Sequence, residues 1–200
     1  MKIAGIISEY NPFHYGHKYH IEETKRLYGA THIVAVMSGN FVQRGDVAIF
    51  DKYSRAKTAL ENGADLVLAL PTPCALSSAD YFARSAVHIL DSLGCIDMLS
   101  FGSECGDIEV LKQSVAAVQT VLEGGKISAL AKQGLSFPSA LRRAVAEESF
   151  SAAEVLDSPN NTLALEYINS LNRLGSGVVP VTVTRKGAPH DSEFHNDKTE

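Results

Sequence analysis

Short apolar runs alternate with segments of helical period along most of the chain. Lys2–Ser8 is a β-rich run, and Gly16–Tyr28 follows as a helix with a polar face. His32–Met37 is a second buried run. Lys52–Asn62 reads as a helix stopped by Gly63, a good residue just past a helix end. Asp65–Leu70 is a third run, closed by Pro71 and Pro73. Ser77–Leu93 reads as a helix that Ser77 or Ser78 can cap and Gly94 can close. Asp97–Phe101 is a fourth run. Asp107–Glu123 is amphipathic, with Ile108, Leu111, Val115, Val118 and Leu122 on one face, and Gly124-Gly125 ends it. Strands alternating with helices of this length predict βαβ units, hence an α/β fold with a parallel sheet covered by helices on both faces.

After Gly125 the rhythm changes. Pro138–Glu148 and Asn161–Leu174 read as helices with a polar linker between them, and Val178–Arg185 as a late strand of the same sheet. From Lys186 onward the chain is polar and aperiodic, and its last residues are expected to fray. Hydrophobic residues make up 45% of the 200 and charged residues 20%, a globular balance that excludes wholesale disorder. A net charge of −5 gives no global attraction for nucleic acid, although a local basic patch stays compatible with it. Three scattered cysteines, Cys74, Cys95 and Cys105, form no CxxC pair and point to a reducing cytoplasm. Cys74 reads as a buried structural thiol. Apolar runs fall far short of about 18 residues, so no membrane span is expected. The N-terminus reads as a strand rather than a signal peptide.

Chemistry concentrates at the first strand-to-helix junction, Ser8-Glu9-Tyr10-Asn11-Pro12-Phe13-His14-Tyr15-Gly16-His17-Lys18-Tyr19-His20. In open parallel sheets ligands sit beyond the carboxyl ends of the strands. A helix start there offers unpaired N–H groups and partial positive charge, which suit phosphate. Gly16 would let a phosphate approach where a Cβ would clash. His14 and His17 can donate to a phosphate oxygen as charge builds on it, so positioning and electrostatics suffice for phosphoryl or nucleotidyl transfer. His20 lies one turn further along. A metal site on His14, His17 and His20 lacks an obvious acidic ligand, and no metal is assigned. Gly124-Gly125-Lys126 lacks the spacing and helix start of a P-loop.

The stretches GIISEYNPFHYGHKYH (Gly5–His20), VMSGNFVQRGDVAIFDKYSRAKTALENGADLVLALP (Val36–Pro71), SADYFARSAVHIL (Ser78–Leu90), FGSE (Phe101–Glu104) and SPNNTLALEYINSL (Ser158–Leu171) carry a specific likeness. The chain resembles the His-x-Gly-His nucleotidylyltransferases and, within them, the bacterial tRNA(Met) cytidine acetate ligases. The resemblance implies a Rossmann-like fold. It implies that ATP and acetate give acetyl-adenylate and pyrophosphate, and that the acetyl group passes to N4 of the wobble cytidine of elongator tRNA(Met). Carried over by motif, ATP would be held by Ile7, Ser8, Glu9, Tyr10, Asn11, Pro12, Phe13, His14, Tyr15, Gly16, His17, Lys18, Tyr19 and His20. His14 and His17 would be the catalytic pair.

Gly102, expected just after strand four, would meet the adenosine, Asn160 and Asn161 the nucleotide, and Arg185 with Lys186 the phosphates or adenine edge. Either asparagine could equally serve as a helix cap. The long polar loop Ser38–Asp46 faces the same crevice, and Ser38, Asn40, Gln43 and Arg44 are expected to shape the acetate and phosphate side. Lys52 and Arg55 read as a solvated helix face that could extend a basic rim. Magnesium is expected with ATP. Family members continue into a C-terminal tRNA-binding part. Residues 1–185 are therefore expected to be the catalytic domain, and 186–200 a polar tail leading to that missing part. A small-molecule nucleotidylyltransferase, or an ATP-binding domain without turnover, would share these motifs.

Overall fold

The computed structural model describes residues 1–43 and 45–185. Arg44, Lys186 and the tail expected to fray lie outside the described residues. Five strands, β1 (Ile3–Ser8), β2 (His32–Ser38), β3 (Leu66–Leu70), β4 (Met98–Ser103) and β5 (Val179–Thr184), form one sheet in the order β3-β2-β1-β4-β5. Every pairing is parallel. Gly5 of β1 pairs with Val34 on one side and Leu99 on the other, which puts β1 at the centre. β1 and β2 are buried almost end to end, as expected where both faces of a parallel sheet are covered. The chain builds outward from β1 to β3, then returns to lay β4 on β1's other side. Strand order reverses between β1 and β4, and that reversal opens a crevice at their carboxyl ends.

Helices α1 (Tyr15–Tyr28) and α2 (Lys52–Glu61) cover one face. Ile21 and Ala59 pack there with Ala4, Ile6, Ile33, Ala35 and Met37. The other face carries α4 (Ala79–Ser92), α5 (Ile108–Glu123) and α9 (Pro159–Leu174). Phe82, Val87, Leu90, Leu111, Val115, Leu165 and Ile168 bury Ile7, Val36, Leu99 and Phe101. Three short or terminal helices complete the set: α3 (Thr72–Ala75), α6 (Lys126–Lys132) and α8 (Phe150–Val155), with α7 (Phe137–Glu148) between the last two. Among the described residues no helix is long and apolar enough to cross a membrane.

The structure departs from the sequence reading in particular places. The expected polar linker contains α8, whose Ala152 and Ala153 are buried against α5 and α7 while Val155 joins the main core. Six residues are too few to show a period, and α3 and α6 escape notice for the same reason. In α5 the last turn leans toward this helical lobe and away from the sheet. Val121 is therefore buried, and Leu122, expected inside, is exposed. Ser78 holds the N-cap position of α4 without a side-chain bond, while the Ser77 hydroxyl donates to the Pro73 carbonyl at 2.5 Å. Cys74 is half-buried rather than buried, and Cys95 and Cys105 are exposed.

Leu111 is fully buried where α5 meets the sheet. Leu111→Ala should cost about 2–5 kcal/mol. Urea unfolding measures it, and a loss well below that range would mean the α5 layer collapses readily onto the gap.

Candidate active site

A cleft of about 1040 Å³ lies at the carboxyl ends of β1, β4 and β5. Ile7 and Ser8 line it from the end of β1, Glu9, Tyr10, Asn11 and Pro12 from the first loop, and His14, Gly16, His17, Tyr19 and His20 from the start of α1. Gln43, Gly102, Asn160 and Arg185 close its other sides. Phe13, Tyr15, Lys18, Ser38, Asn40 and Asn161, also expected at the site, do not line the cleft. Phe13 instead packs on Tyr10 with ring centroids 5.0 Å apart, and Tyr15 is exposed. Tyr10 has a φ of 47°, a left-handed conformation that is costly for a side-chain-bearing residue. It drives its ring into the core beneath α1, where burial pushes the phenol's pKa up.

The two motif histidines build the helix start. His14 is the N-cap of α1, and its Nδ1 accepts from the Gly16 N–H at 3.0 Å. His17 reaches back, and its Nδ1 accepts from the His14 N–H at 3.2 Å. This is a capping box made of imidazoles instead of hydroxyl and carboxylate. Each Nδ1 that accepts is bare, so each ring keeps its proton on Nε2. The rings stack at 3.8 Å, and the Tyr10 ring meets His17 edge-on at 4.9 Å. A Cβ on Gly16 would lie 2.9 Å from His14 Cε1. The glycine therefore makes room for its own motif's imidazole, a more immediate reason than the phosphate approach expected from sequence.

His20 belongs to a closed circuit on the inner side of α1. Thr24 Oγ1 donates to the His20 carbonyl at 2.7 Å. Its single proton used, Thr24 must accept from Ser100 Oγ at 2.7 Å, and Ser100 in turn accepts from His20 Nε2 at 2.9 Å. His20 is thereby fixed with its proton on Nε2. Burial, then His14, His20 and the Arg185 cation, push the His17 imidazole down to about 3. Burial and Arg185 push His20 down to about 4. Both are neutral donors at neutral pH. Positive charge in the cleft comes from the α1 N-terminus and Arg185, which face the lining carboxylates of Glu9, Asp46 and Asp157.

The opposite wall is a corner between β4 and α9. Gly102, expected just after the fourth strand, lies within β4, which runs on to Ser103. A Cβ there would sit 3.3 Å from Arg185 Cγ, so the glycine lets the arginine cross the strand. Glu104, not singled out from sequence, organises the corner. Its carboxylate accepts from Asn160 Nδ2 at 2.6 Å and from the Asn161 N–H at 3.0 Å, and it lies 3.8 Å from Arg185 Nε. Asn161 is buried and returns the contact, accepting from the Glu104 and Cys105 N–H groups at 2.8 and 3.2 Å. It caps the β4 loop rather than its own helix. Only the four-residue run FGSE hinted at Glu104, and its partner stands 57 positions away.

The second loop lines the cleft with Val42, Gln43 and Asp46, of which Gln43 was expected and Val42 and Asp46 were not. The Gln43 N–H donates to Glu9 Oε1 at 2.6 Å. Ser38 is buried at the end of β2 with an unpartnered hydroxyl. Asn40 is turned to α2, where its Oδ1 accepts from the Lys52 N–H at 3.1 Å. Arg55, read as part of a solvated face or rim, is 2% exposed and bonds to backbone carbonyls. A helical position that points inward carries no mark in sequence when its residue is charged.

Two outcomes check this site. Unfolded histidines protonate near pH 6.5; folded His17 and His20 resist until about 3 and 4. The unfolded chain thus binds more protons in that interval, and stability should fall as pH drops from 6.5 toward 4. His20→Gln, which keeps a donor for Ser100, should flatten that slope in urea titrations. Gly16→Ala gains about 1 kcal/mol of helix propensity and loses the His14 cap, worth about as much, so the melting temperature should change little. The substitution should displace His14, read as loss of its single Nε2–H tautomer in long-range 1H–15N spectra.

Residues 1–200 match the family model described as HIGH Nucleotidyl Transferase. The chain is 43% identical over 198 residues to the tRNA(Met) cytidine acetate ligase of Acetivibrio thermocellus, covering 96% of this chain and 48% of that protein. It is 46% identical over 208 residues to that of Clostridium kluyveri, covering 99% and 51%. It thus spans about half the length of the curated relatives it matches. Among solved structures, Thermotoga maritima TmcAL bound with alpha-thio ATP aligns with a TM-score of 0.83 at 37% identity, over 94% of this chain and 47% of that one. The apo form aligns with a TM-score of 0.87 at 37% identity, over 100% and 49%. Matched over its whole length by that family model, the chain belongs to the HIGH nucleotidyl transferase family.

Proposed function

We propose that residues 1–185 form the adenylating domain of an ATP-dependent acetate ligase whose acceptor is elongator tRNA(Met). One observation carries the reading. The cleft ends on a helix N-terminus framed by two imidazoles, each holding its proton on Nε2. Such donors suit a triphosphate, and the named relatives and the ATP-analogue complex of a structural relative support that ligand. An acetate oxygen attacks the α-phosphorus, the bond to the bridging oxygen breaks, and pyrophosphate leaves. Nε2–H groups of His14 and His17 stabilise charge on the phosphate oxygens, and Arg185 adds a cationic fork. Acetyl-adenylate then gives its acetyl group to N4 of the wobble cytidine, with AMP as leaving group and one amine proton released.

Among the described residues no three His, Cys, Asp or Glu side chains cluster to hold a metal ion. Magnesium is proposed to accompany the triphosphate, and no residue here is assigned to it. The reading puts the protein beside its tRNA in the cytoplasm. Acceptor recognition is proposed for the intact protein, because the relatives' chains are about twice as long as the matched part.

ATP–pyrophosphate exchange tests the proposal. Exchange should require acetate and fall about a hundredfold or more in His17→Ala. Exchange indifferent to acetate, or supported by another small acceptor, would point to a nucleotidylyltransferase of different substrate. ATP binding without exchange, in the intact protein as well, would leave a binding domain only.

A further inference from the structure

The geometry points to Arg55 as a positioning residue that latches the first loop to the second and so presets the backbone floor of the cleft before nucleotide arrives. The inference rests on the proposed ATP reading only for its binding consequence. Arg55 stands in the first turn of α2, 2% exposed, and three of its guanidinium nitrogens reach three different backbone segments. Nη1 donates to the Glu9 carbonyl at 2.5 Å, Nε to the Phe50 carbonyl at 2.9 Å, and Nη2 to the Gly39 carbonyl. Glu9 lines the cleft; Gly39 and Phe50 lie near the two ends of the second loop, which runs through residues 39–51 between β2 and α2. A buried cation satisfied by carbonyls from three segments costs more to leave unpaired than any neutral group would.

Two further bonds run between the same loops. Glu9 Oε1 accepts from the Gln43 N–H at 2.6 Å, and Asn11 Oδ1 from the Ile49 N–H at 2.7 Å. These side chains come from the first loop and the amides from the second. Glu9 is therefore gripped twice, by its carbonyl and by its carboxylate. A lysine has one nitrogen and no planar fork, so it cannot serve three carbonyls set in different directions. Without the latch, the ordering of both loops would be charged against nucleotide binding.

Arg55→Lys in the intact protein tests this, with amide exchange and ATP calorimetry beside wild type. The expected result is a folded variant whose Gln43 and Ile49 amides exchange faster in the free protein and regain protection with ATP. Its ATP affinity should weaken about tenfold or more, with kcat changed much less, while amides of α4 and α9 keep wild-type protection. Wild-type exchange at both amides, or unaltered ATP affinity, overturns the latch. Should the variant not fold, the wild type decides. Free exchange of both amides without ATP overturns it, and slow exchange of both sustains it. Failure of wild type to bind ATP sinks the proposed function instead, and the ATP-free exchange still judges the latch.

Discussion

Reciprocal capping between His14 and His17 is the constraint from which the rest of the site is arranged. Any α-helix that begins at a cleft must satisfy its first N–H groups or leave them for a ligand. Here imidazole nitrogens take two of these positions, one on Gly16 and one on His14 itself. Bonding through Nδ1 decides the tautomer, the tautomer decides that each Nε2 is a donor, and burial keeps the His17 ring uncharged. Two imidazolium ions 3.8 Å apart would repel, so the stack disfavours charge on both rings at once. The helix thus spends none of its remaining N-terminal potential on neutralising its own cap.

The parallel sheet supplies the placement. Reversal of strand order at β1 and β4 sets the α1 N-terminus across from the carboxyl end of β4. The Ser100–Thr24–His20 circuit ties α1 to β4 from beneath, so the histidine-bearing helix and the strand bearing Gly102 are held in one frame. Arg185, at the end of β5, completes the cleft from the neighbouring edge.

Much of this frame was legible in the sequence because periodicity and punctuation agree. Apolar runs marked all five strands, and the glycines after α2, α4 and α5 marked helix ends. The His-x-Gly-His run announced the site by its place after the first strand. What escaped was what depends on partners distant in sequence. Arg55 and Asn161 are polar residues with no local pattern that says they turn inward, and each is explained only by backbone groups from other loops. Leu122 misled for the opposite reason, since the last turn of a helix can follow a satellite cluster whose members, Ala144 and Ala153 among them, are too small to announce a core. Short helices such as α8 leave no period to read.

The paired contact between Glu104 and Asn161 has a topological meaning. The chain leaves β4 at Glu104, runs through four helices and a turn of a fifth, and comes back to the same carboxylate. The stretch between those two residues is an excursion with both feet pinned at one corner, and its return leg adds Leu156, Asp157 and Pro159 to the cleft lining. Lengthening or shortening its outer part, around α6, alters the path of the excursion and leaves its feet where they were, and the entropy of closing a longer path rises only logarithmically. The fold thereby separates a region free to vary in size from a corner that is not.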